Sequence, residues 1–180
     1  LRVVRGAGTS ESRRRAEHIL IGNLGDAHRG LGEIKRSIEY SLRAIAGHQL
    51  DDYREGIAIW KGNLGVAYRE IGDLRMARKY LEDAQREMEG LGYRQRISGV
   101  LAGLAGVRHD EGDSAGAERF LREALELDVR HAARASESQD RIELGHLHLD
   151  GGRFEEASSE FEAAHRIAAE TGNRLGQARA

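Results

Sequence analysis

Apolar residues recur along the chain at the three- and four-residue spacings of amphipathic helices. The clearest run holds Ile57, Trp60, Leu64, Tyr68 and Ile71. Gly72 and Asp73 follow it, and they suit the left-handed residue that ends one helix and the N-cap that starts the next. The spacing predicts eight helices, over residues 11–30, 34–47, 53–71, 74–90, 94–111, 114–129, 134–150 and 154–171.

The pattern repeats with a period of 40 residues. A leucine recurs at Leu24, Leu64, Leu104 and Leu144, and a glycine at Gly32, Gly72, Gly112 and Gly152. A short turn makes the two helices of each unit, A and B, antiparallel neighbours. The period therefore predicts an all-α fold, an α-solenoid of about four helical hairpins.

The period also divides the chain. It predicts hairpins over residues 11–51, 52–91, 92–131 and 132–172, preceded by an irregular or disordered segment over 1–10. Residues 173–180 should begin a further helix. Because the chain starts with Leu1 rather than methionine, we expect a fragment of a longer polypeptide.

Small residues recur where helix A faces helix B. Gly25, Gly65 and Gly145 lie inside helix A, where glycine costs about 0.5–1 kcal/mol relative to alanine. Close approach of helix B would offset that cost, with alanines at 77, 117 and 157 on the facing side. In the first hairpin Ser37 and Ser41 break the pattern, which is typical of a solvent-facing cap.

The unit resembles the tetratricopeptide repeat. The residues that carry the resemblance are Leu64, Gly65, Tyr68, Gly72, Asp73, Ala77, Leu81 and Ala84, and then Leu144, Gly145, Gly152, Ala157, Phe161 and Ala164. The period of 40 exceeds the family's usual 34, and the family's proline after helix B is absent. Longer repeats of this kind are similar to those of G-protein signalling modulators, kinesin light chains and bacterial signalling proteins. The resemblance implies a right-handed superhelix with a concave groove that binds a peptide or helix of a partner.

Composition narrows the functional classes. Charged residues make up 32% of the chain, the net charge is −2, and proline and cysteine are absent. The charge argues against nucleic-acid binding, and the lack of cysteine excludes disulfides and thiolate chemistry. No apolar run approaches the roughly 20 residues of a membrane span, and no signal peptide is visible. We expect a cytoplasmic protein that neither enters a membrane nor binds a cofactor.

Arginine follows the same period. It occurs at Arg14, Arg54, Arg94, Arg134 and Arg174, at the predicted start of each helix A. A cation there opposes the helix dipole, so something should compensate for it. One interpretation is a row of guanidinium groups that binds the carboxylates of an acidic partner. The alternative is that each arginine pairs with a nearby acid such as Asp51, Asp52 or Asp128.

The groove should be lined by helix A residues that face away from helix B. The candidates are Asn23, Asp26, Arg29, Asn63, Arg69, Glu70, His109, Asp110, Glu143, His146 and Asp150. His146 and His148 cannot readily converge on one metal ion, because residues two apart on a helix point in different directions. No catalytic motif stands out, so we expect neither a metal site nor an enzyme. Trp60 should pack between hairpins rather than form a ligand platform.

The sequence thus favours a protein-interaction scaffold that holds a peptide or helix, in part acidic. Two alternatives stay open. The chain could be the ligand-sensing segment of a larger signalling or transcriptional regulator, or a module that self-associates through its terminal repeats.

Overall fold

The computed structural model describes residues 2–93 and 96–172, with side chains from residue 10 onward. Within these residues the chain forms eight α-helices and no strand, which confirms the predicted all-α, solenoid class. The helices are α1 (Arg2–Gly30), α2 (Ile34–Leu50), α3 (Arg54–Glu70), α4 (Leu74–Gly90), α5 (Ser98–Asp110), α6 (Ser114–Arg130), α7 (Arg134–Asp150) and α8 (Phe154–Thr171). None of these helices combines the length and apolar character needed to span a bilayer.

Two helix starts differ from the sequence-based expectation. Helix α1 begins at Arg2, so residues 2–10 are helical rather than irregular. No proline interrupts this stretch, so the hydrogen-bond ladder of the following turns continues toward the N-terminus. Helix α5 begins at Ser98 rather than at residue 94, and Ile97 before it offers no side-chain cap. The expected ninth helix over 173–180 lies outside the described residues.

One residue just after each described helix lies in the left-handed region, and this residue recurs every 20 positions. The series is Gly32, Asp52, Gly72, Gly92, Gly112, Ala132, Gly152 and Gly172. The next residue closes the preceding helix in six of these places, as when Asp73 N–H donates to the Tyr68 carbonyl at 3.0 Å. The turns between hairpins therefore use the same geometry as the turns within them, which the 40-residue pattern did not predict.

Helices A and B meet where helix A has no side chain. A Cβ at Gly65 would lie 2.6 Å from Cγ of Leu81 and 3.0 Å from the Ala77 carbonyl. At Gly145 it would lie 2.5 Å from the Phe161 ring. The glycines inside helix A are thus explained by close packing of helix B, as predicted.

The chain divides into two compact units, Leu1–Gly92 and Tyr93–Ala180, each with two hairpins. In the first unit a core of Ala44, Ile45, Trp60 and Leu64 joins α2 to α3. In the second unit Ala117 and Leu121 of α6 pack with Leu144 and Leu147 of α7. In both units, helix B of one hairpin covers helix A of the next.

The first hairpin differs from the others in which residues it exposes. Leu64, Leu104 and Leu144 are buried, whereas Leu24 is 48% exposed because no described hairpin covers that face of α1. Ser37 and Ser41 are buried, not solvent-facing as predicted. They lie against Gly25, where an added Cβ would be 3.3 Å from Oγ of Ser41.

Replacing Ala132 with glycine should stabilise the protein. Ala132 has φ of 53°, a conformation that costs a residue with a side chain about 1–2 kcal/mol. Glycine removes that strain but loses more backbone entropy on folding, so the net gain should be about 0.5–1 kcal/mol. Urea denaturation followed by circular dichroism would measure it. Ala133→Gly is the matched control, since Ala133 has φ of −80° and glycine there should bring no gain.

Replacing Gly65 with alanine should destabilise the protein even though alanine favours helices. The added Cβ would overlap the fully buried Leu81 and crowd the Ala77 carbonyl, an overpacking that costs about 1–3 kcal/mol. Gly99 is also helical but has nothing within 4 Å of an added Cβ, so Gly99→Ala should be neutral or stabilising. A higher melting temperature for Gly65→Ala would contradict the close-packing explanation.

Candidate interaction surface

The arginine series does not occupy one common environment. Arg54 and Arg134 are the first residues of α3 and α7, as predicted for helix A starts. Arg14 lies inside α1, because that helix begins earlier than predicted. Arg94 and Arg174 lie outside the described residues.

Two of these arginines pair with an acid at the far end of their own hairpin. Arg14 Nε lies 3.2 Å from Oδ1 of Asp51, just after α2. Burial opposes ionisation of Asp51, but Arg14 and His18 outweigh it and hold the pKa of that carboxyl below its usual value. Arg134 contacts Glu170 and lies 3.0 Å from Glu137, and both carboxylates raise the pKa of the guanidinium.

Arg54 has no such partner. It is exposed, and it forms no ion pair with any residue that the structure describes. The reason lies in the sequence. At the two positions equivalent to Asp51 and Glu170, its hairpin has Leu91 and Gly90. Internal pairing thus accounts for Arg14 and Arg134 but leaves the charge of Arg54 available to a partner.

Polar side chains join α1 to α3 along the surface away from helix B. Asn63 donates from Nδ2 to both carboxylate oxygens of Asp26, at 3.0 and 3.1 Å. Burial raises the pKa of Asp26, although Arg29 and the bond from Asn63 act against that rise. About one turn further along α1, Arg29 Nη1 lies 3.1 Å from Oε1 of Glu70. Four of the predicted groove residues are therefore brought together in pairs.

The second unit repeats one of these contacts. His109 Nε2 of α5 lies 3.3 Å from Oδ2 of Asp150 on α7. These residues stand 80 positions after Arg29 and Glu70, so the same inter-helix contact is made by different residue types. Residues at this repeat position link consecutive A helices in both units.

The remaining predicted residues are dispersed. Asn23 is exposed on α1, and Arg69 lies in the last turn of α3. Glu143 accepts a hydrogen bond from Gln139 on its own helix at 2.7 Å. The His146 ring packs edge-on against Phe161 of α8, with ring centroids 5.2 Å apart. His146 and Glu143 are thus occupied by local contacts.

Trp60 packs between hairpins. It is 4% exposed, and its ring fills the space left by the missing side chain of Gly22, where a Cβ would lie 2.1 Å away. Its indole Nε1 donates to Nε2 of His48 at 3.2 Å. Because residues of α1 and α2 enclose its ring, Trp60 has no exposed face that a ligand could contact.

The burial of polar residues at the joints between hairpins was not predicted from the sequence. His48 in the first unit, and Asp128 and Asp140 in the second, are each at most 4% exposed. A signal was present, because Asp140 occupies the repeat position of Leu20, Trp60 and Val100. A charged residue in an apolar series marks a buried polar contact. Among the described residues no group of three or more His, Asp or Glu side chains is arranged to hold a metal ion.

Comparison with known proteins connects this arrangement to a family. The tetratricopeptide repeat model matches residues 15–86. No curated protein sequence matches the chain. Many solved structures share the fold, at sequence identities that establish the fold alone.

Three of these structures are informative. A Rap protein complexed with Competence and Sporulation Factor is 13% identical, with a TM-score of 0.84 over 91% of this chain and 46% of that one. The Rap conjugation gene regulator of plasmid pLS20, in complex with the Phr peptide, is 19% identical, with a TM-score of 0.84 over 92% of this chain and 45% of that one. A putative kinesin light chain from Podosopora anserina is 18% identical, with a TM-score of 0.66 over 89% and 77%. The chain spans less than half the length of the two Rap proteins.

Proposed function

Since the tetratricopeptide repeat model matches residues 15–86 and the same hairpin recurs through residue 172, we propose that this chain is a protein-interaction module that binds a partly acidic segment of a partner. The proposed contact surface in the first unit is formed by α1 and α3. Arg54 supplies a cation at the N-terminus of α3, and Asn23 supplies an exposed amide on α1 that can bond a peptide backbone.

The observation that carries the proposal is the difference between Arg54 and its counterparts. Arg14 and Arg134 occupy equivalent positions, and both are neutralised within their hairpins. No described acid of its hairpin forms an ion pair with Arg54, although a cation at a helix N-terminus opposes the helix dipole. A carboxylate from a partner would remove this unfavourable interaction and form a bidentate pair.

The similar structures support a peptide partner. Two of them are Rap proteins, one in complex with Competence and Sporulation Factor and the other with the Phr peptide. Repeat arrays present extended surfaces rather than enclosed pockets, which suits a peptide better than a small molecule.

Reversal of Arg54 should weaken binding of acidic peptides. The probe is a set of fluorescently labelled 15-residue peptides with Asp or Glu at two spaced positions, each matched to its Asn or Gln counterpart. Wild-type protein should bind the acidic peptide of at least one pair more tightly, and Arg54→Glu should cut that preference by about fivefold to tenfold, or about 1–1.4 kcal/mol. Fluorescence anisotropy at low and high salt would measure it, because the preference should fall as salt screens the ion pair.

Arg86→Glu is the matched control. Arg86 is exposed on α4 of the same hairpin, outside the α1–α3 surface, and the substitution changes the net charge equally. An equal loss of binding in both variants would show a general charge effect rather than a contact at Arg54. Circular dichroism should be unchanged in both. If no acidic peptide is preferred over its amide counterpart, the acidic-partner proposal is wrong.

A second proposal is that the chain senses a ligand for a larger regulator. One similar protein is a conjugation gene regulator, and the chain covers 45% of its length. An effector domain encoded in the same gene would support this proposal. A peptide-dependent change in amide exchange within α1–α4 would support it independently.

Self-association through terminal hairpins stays a prediction. Helix α2 meets α3 through Ile38 and Ile45, but α8 carries Ser158 and His165 at these repeat positions. An end-to-end contact would therefore meet a polar face on α8. Light scattering across a concentration series would detect any such oligomer.

A further inference from the structure

One pair of repeat positions is occupied by a buried hydrogen-bonded pair in both units. In the first unit the pair is His48 at the end of α2 and Trp60 of α3. In the second unit, 80 residues later, it is Asp128 at the end of α6 and Asp140 of α7. Each pair joins helix B of one hairpin to helix A of the next. We call these pairs the first and second joints.

The first joint requires a neutral histidine. His48 Nε2 accepts the bond from Trp60, so it carries no proton, and the proton of the neutral ring is on Nδ1. His48 is 0% exposed, and Nδ1 is buried without a hydrogen-bond partner. A second proton would remove the acceptor for Trp60 and leave a charge in an apolar site.

The groups around His48 disfavour its protonation. The His18 ring of α1 lies edge-on at 5.5 Å, and Arg15 of α1 stacks over Tyr53, whose ring also contacts His48. Asp51 favours a charged His48, but Asp51 already pairs with Arg14 and His18. Burial, and then His18 and Arg15, lower the pKa of His48.

The second joint requires a proton. Asp128 is 2% exposed and Asp140 4% exposed, and each has one buried oxygen without a partner. Two carboxylates can share a hydrogen bond only if one is protonated, and here Asp140 donates to Asp128. Ser98 of α5 also donates to Asp128.

The charges near Asp140 favour the protonated form. Burial, the charge of Asp128 and the charge of Glu143 raise the pKa of Asp140 to about 8. The nearby carboxylate of Glu137 is neutralised by Arg134 and Arg141. His131 offsets part of the rise that burial causes in the pKa of Asp128. At neutral pH this joint therefore contains one carboxylic acid and one carboxylate.

We propose that the two joints are proton-sensitive locks of opposite sense: acid opens the joint between α2 and α3, and alkali opens the joint between α6 and α7. Each unit would then be most rigid on a different side of neutrality. Both locks depend on the buried pairs alone, whether or not Arg54 binds a partner.

The direction of each effect follows from proton binding. The unfolded chain protonates His48 near pH 6.5, but the folded first unit resists this, so its stability falls as pH drops below that value. The folded second unit keeps its proton on Asp140 up to about pH 8, whereas an unfolded aspartate loses it near 3.8. The stability of the second unit therefore falls as pH rises from about 4 to about 8.

Amide hydrogen exchange measured by mass spectrometry would test both locks in one protein. Opening constants of α2–α3 and α6–α7 are obtained at pH 5.5 and 8.5 after correction for intrinsic exchange rates. In wild-type protein we expect α2–α3 to open at least about fivefold more at pH 5.5, and α6–α7 at least about fivefold more at pH 8.5. The indole N–H of Trp60, the only tryptophan, reports the first joint independently by NMR.

The variants His48→Gln and Asp140→Asn keep a hydrogen-bonding group but cannot titrate. Each should abolish the pH response of its own joint and leave the other joint unchanged. The controls are His148→Gln, a buried histidine of α7, and Glu123→Gln, an exposed carboxylate of α6. Both controls should retain both responses. A variant that keeps the wild-type response at its own joint would overturn the lock there.

Direct titration covers the case in which a variant does not fold. NMR of the wild-type side chains gives the pKa of the His48 imidazole and of the Asp140 carboxyl. A His48 pKa at or above its ordinary value of about 6.5, or an Asp140 pKa at or below about 4, would overturn the corresponding lock.

Discussion

Close approach of the two helices within a hairpin is the constraint on which the other contacts depend. Gly65 and Gly145 remove the side chain that would hold helix B away, and Leu81 and Phe161 occupy the space. Once A and B lie this close, helix B presents its other side to the next hairpin. The inter-hairpin cores, such as the one around Leu64, and the polar pairs buried at the joints then become possible.

The joints show how one packing position can hold different chemistry. A histidine and a tryptophan fill it in the first unit, and two aspartates fill it in the second. Both solutions bury a hydrogen-bonded pair, which costs little while it is satisfied and much when one partner changes charge. The apolar contacts around each pair set the distance, and the pair makes that distance dependent on protonation.

The fold could be predicted almost completely from the sequence. The apolar spacing of the helices, the glycines of the turns and the small residues inside helix A all recur with the same period. Gly72 and Asp73 act as predicted: Gly72 is left-handed, and Asp73 accepts the capping bond from Met76 N–H at 3.0 Å. The start of α1 could not be predicted, since no cap or breaker marks it. Ser37 was predicted to face solvent because it is polar. Its small size instead allows it to be buried against Gly25.

Less of the candidate surface could be predicted. The period identified Arg14, Arg54 and Arg134 as equivalent, but pairing depends on the acids opposite them, which do not follow the period. Asp26 and Asn63 were each selected for exposure, and their contact with one another needed the distance between two helices. The 40-residue period therefore predicts the backbone geometry well, whereas the ion pairs differ from one hairpin to the next.

The contact between Gly22 and Trp60 restricts the order of the hairpins. The residues equivalent to Gly22 in the third and fourth hairpins are Ala102 and Ile142. A Cβ at residue 22 would already lie 2.1 Å from the Trp60 ring, so the second hairpin could not follow either of them without repacking. Although the units look like copies, moving the second hairpin to follow the third or fourth would therefore be selected against at its new neighbour.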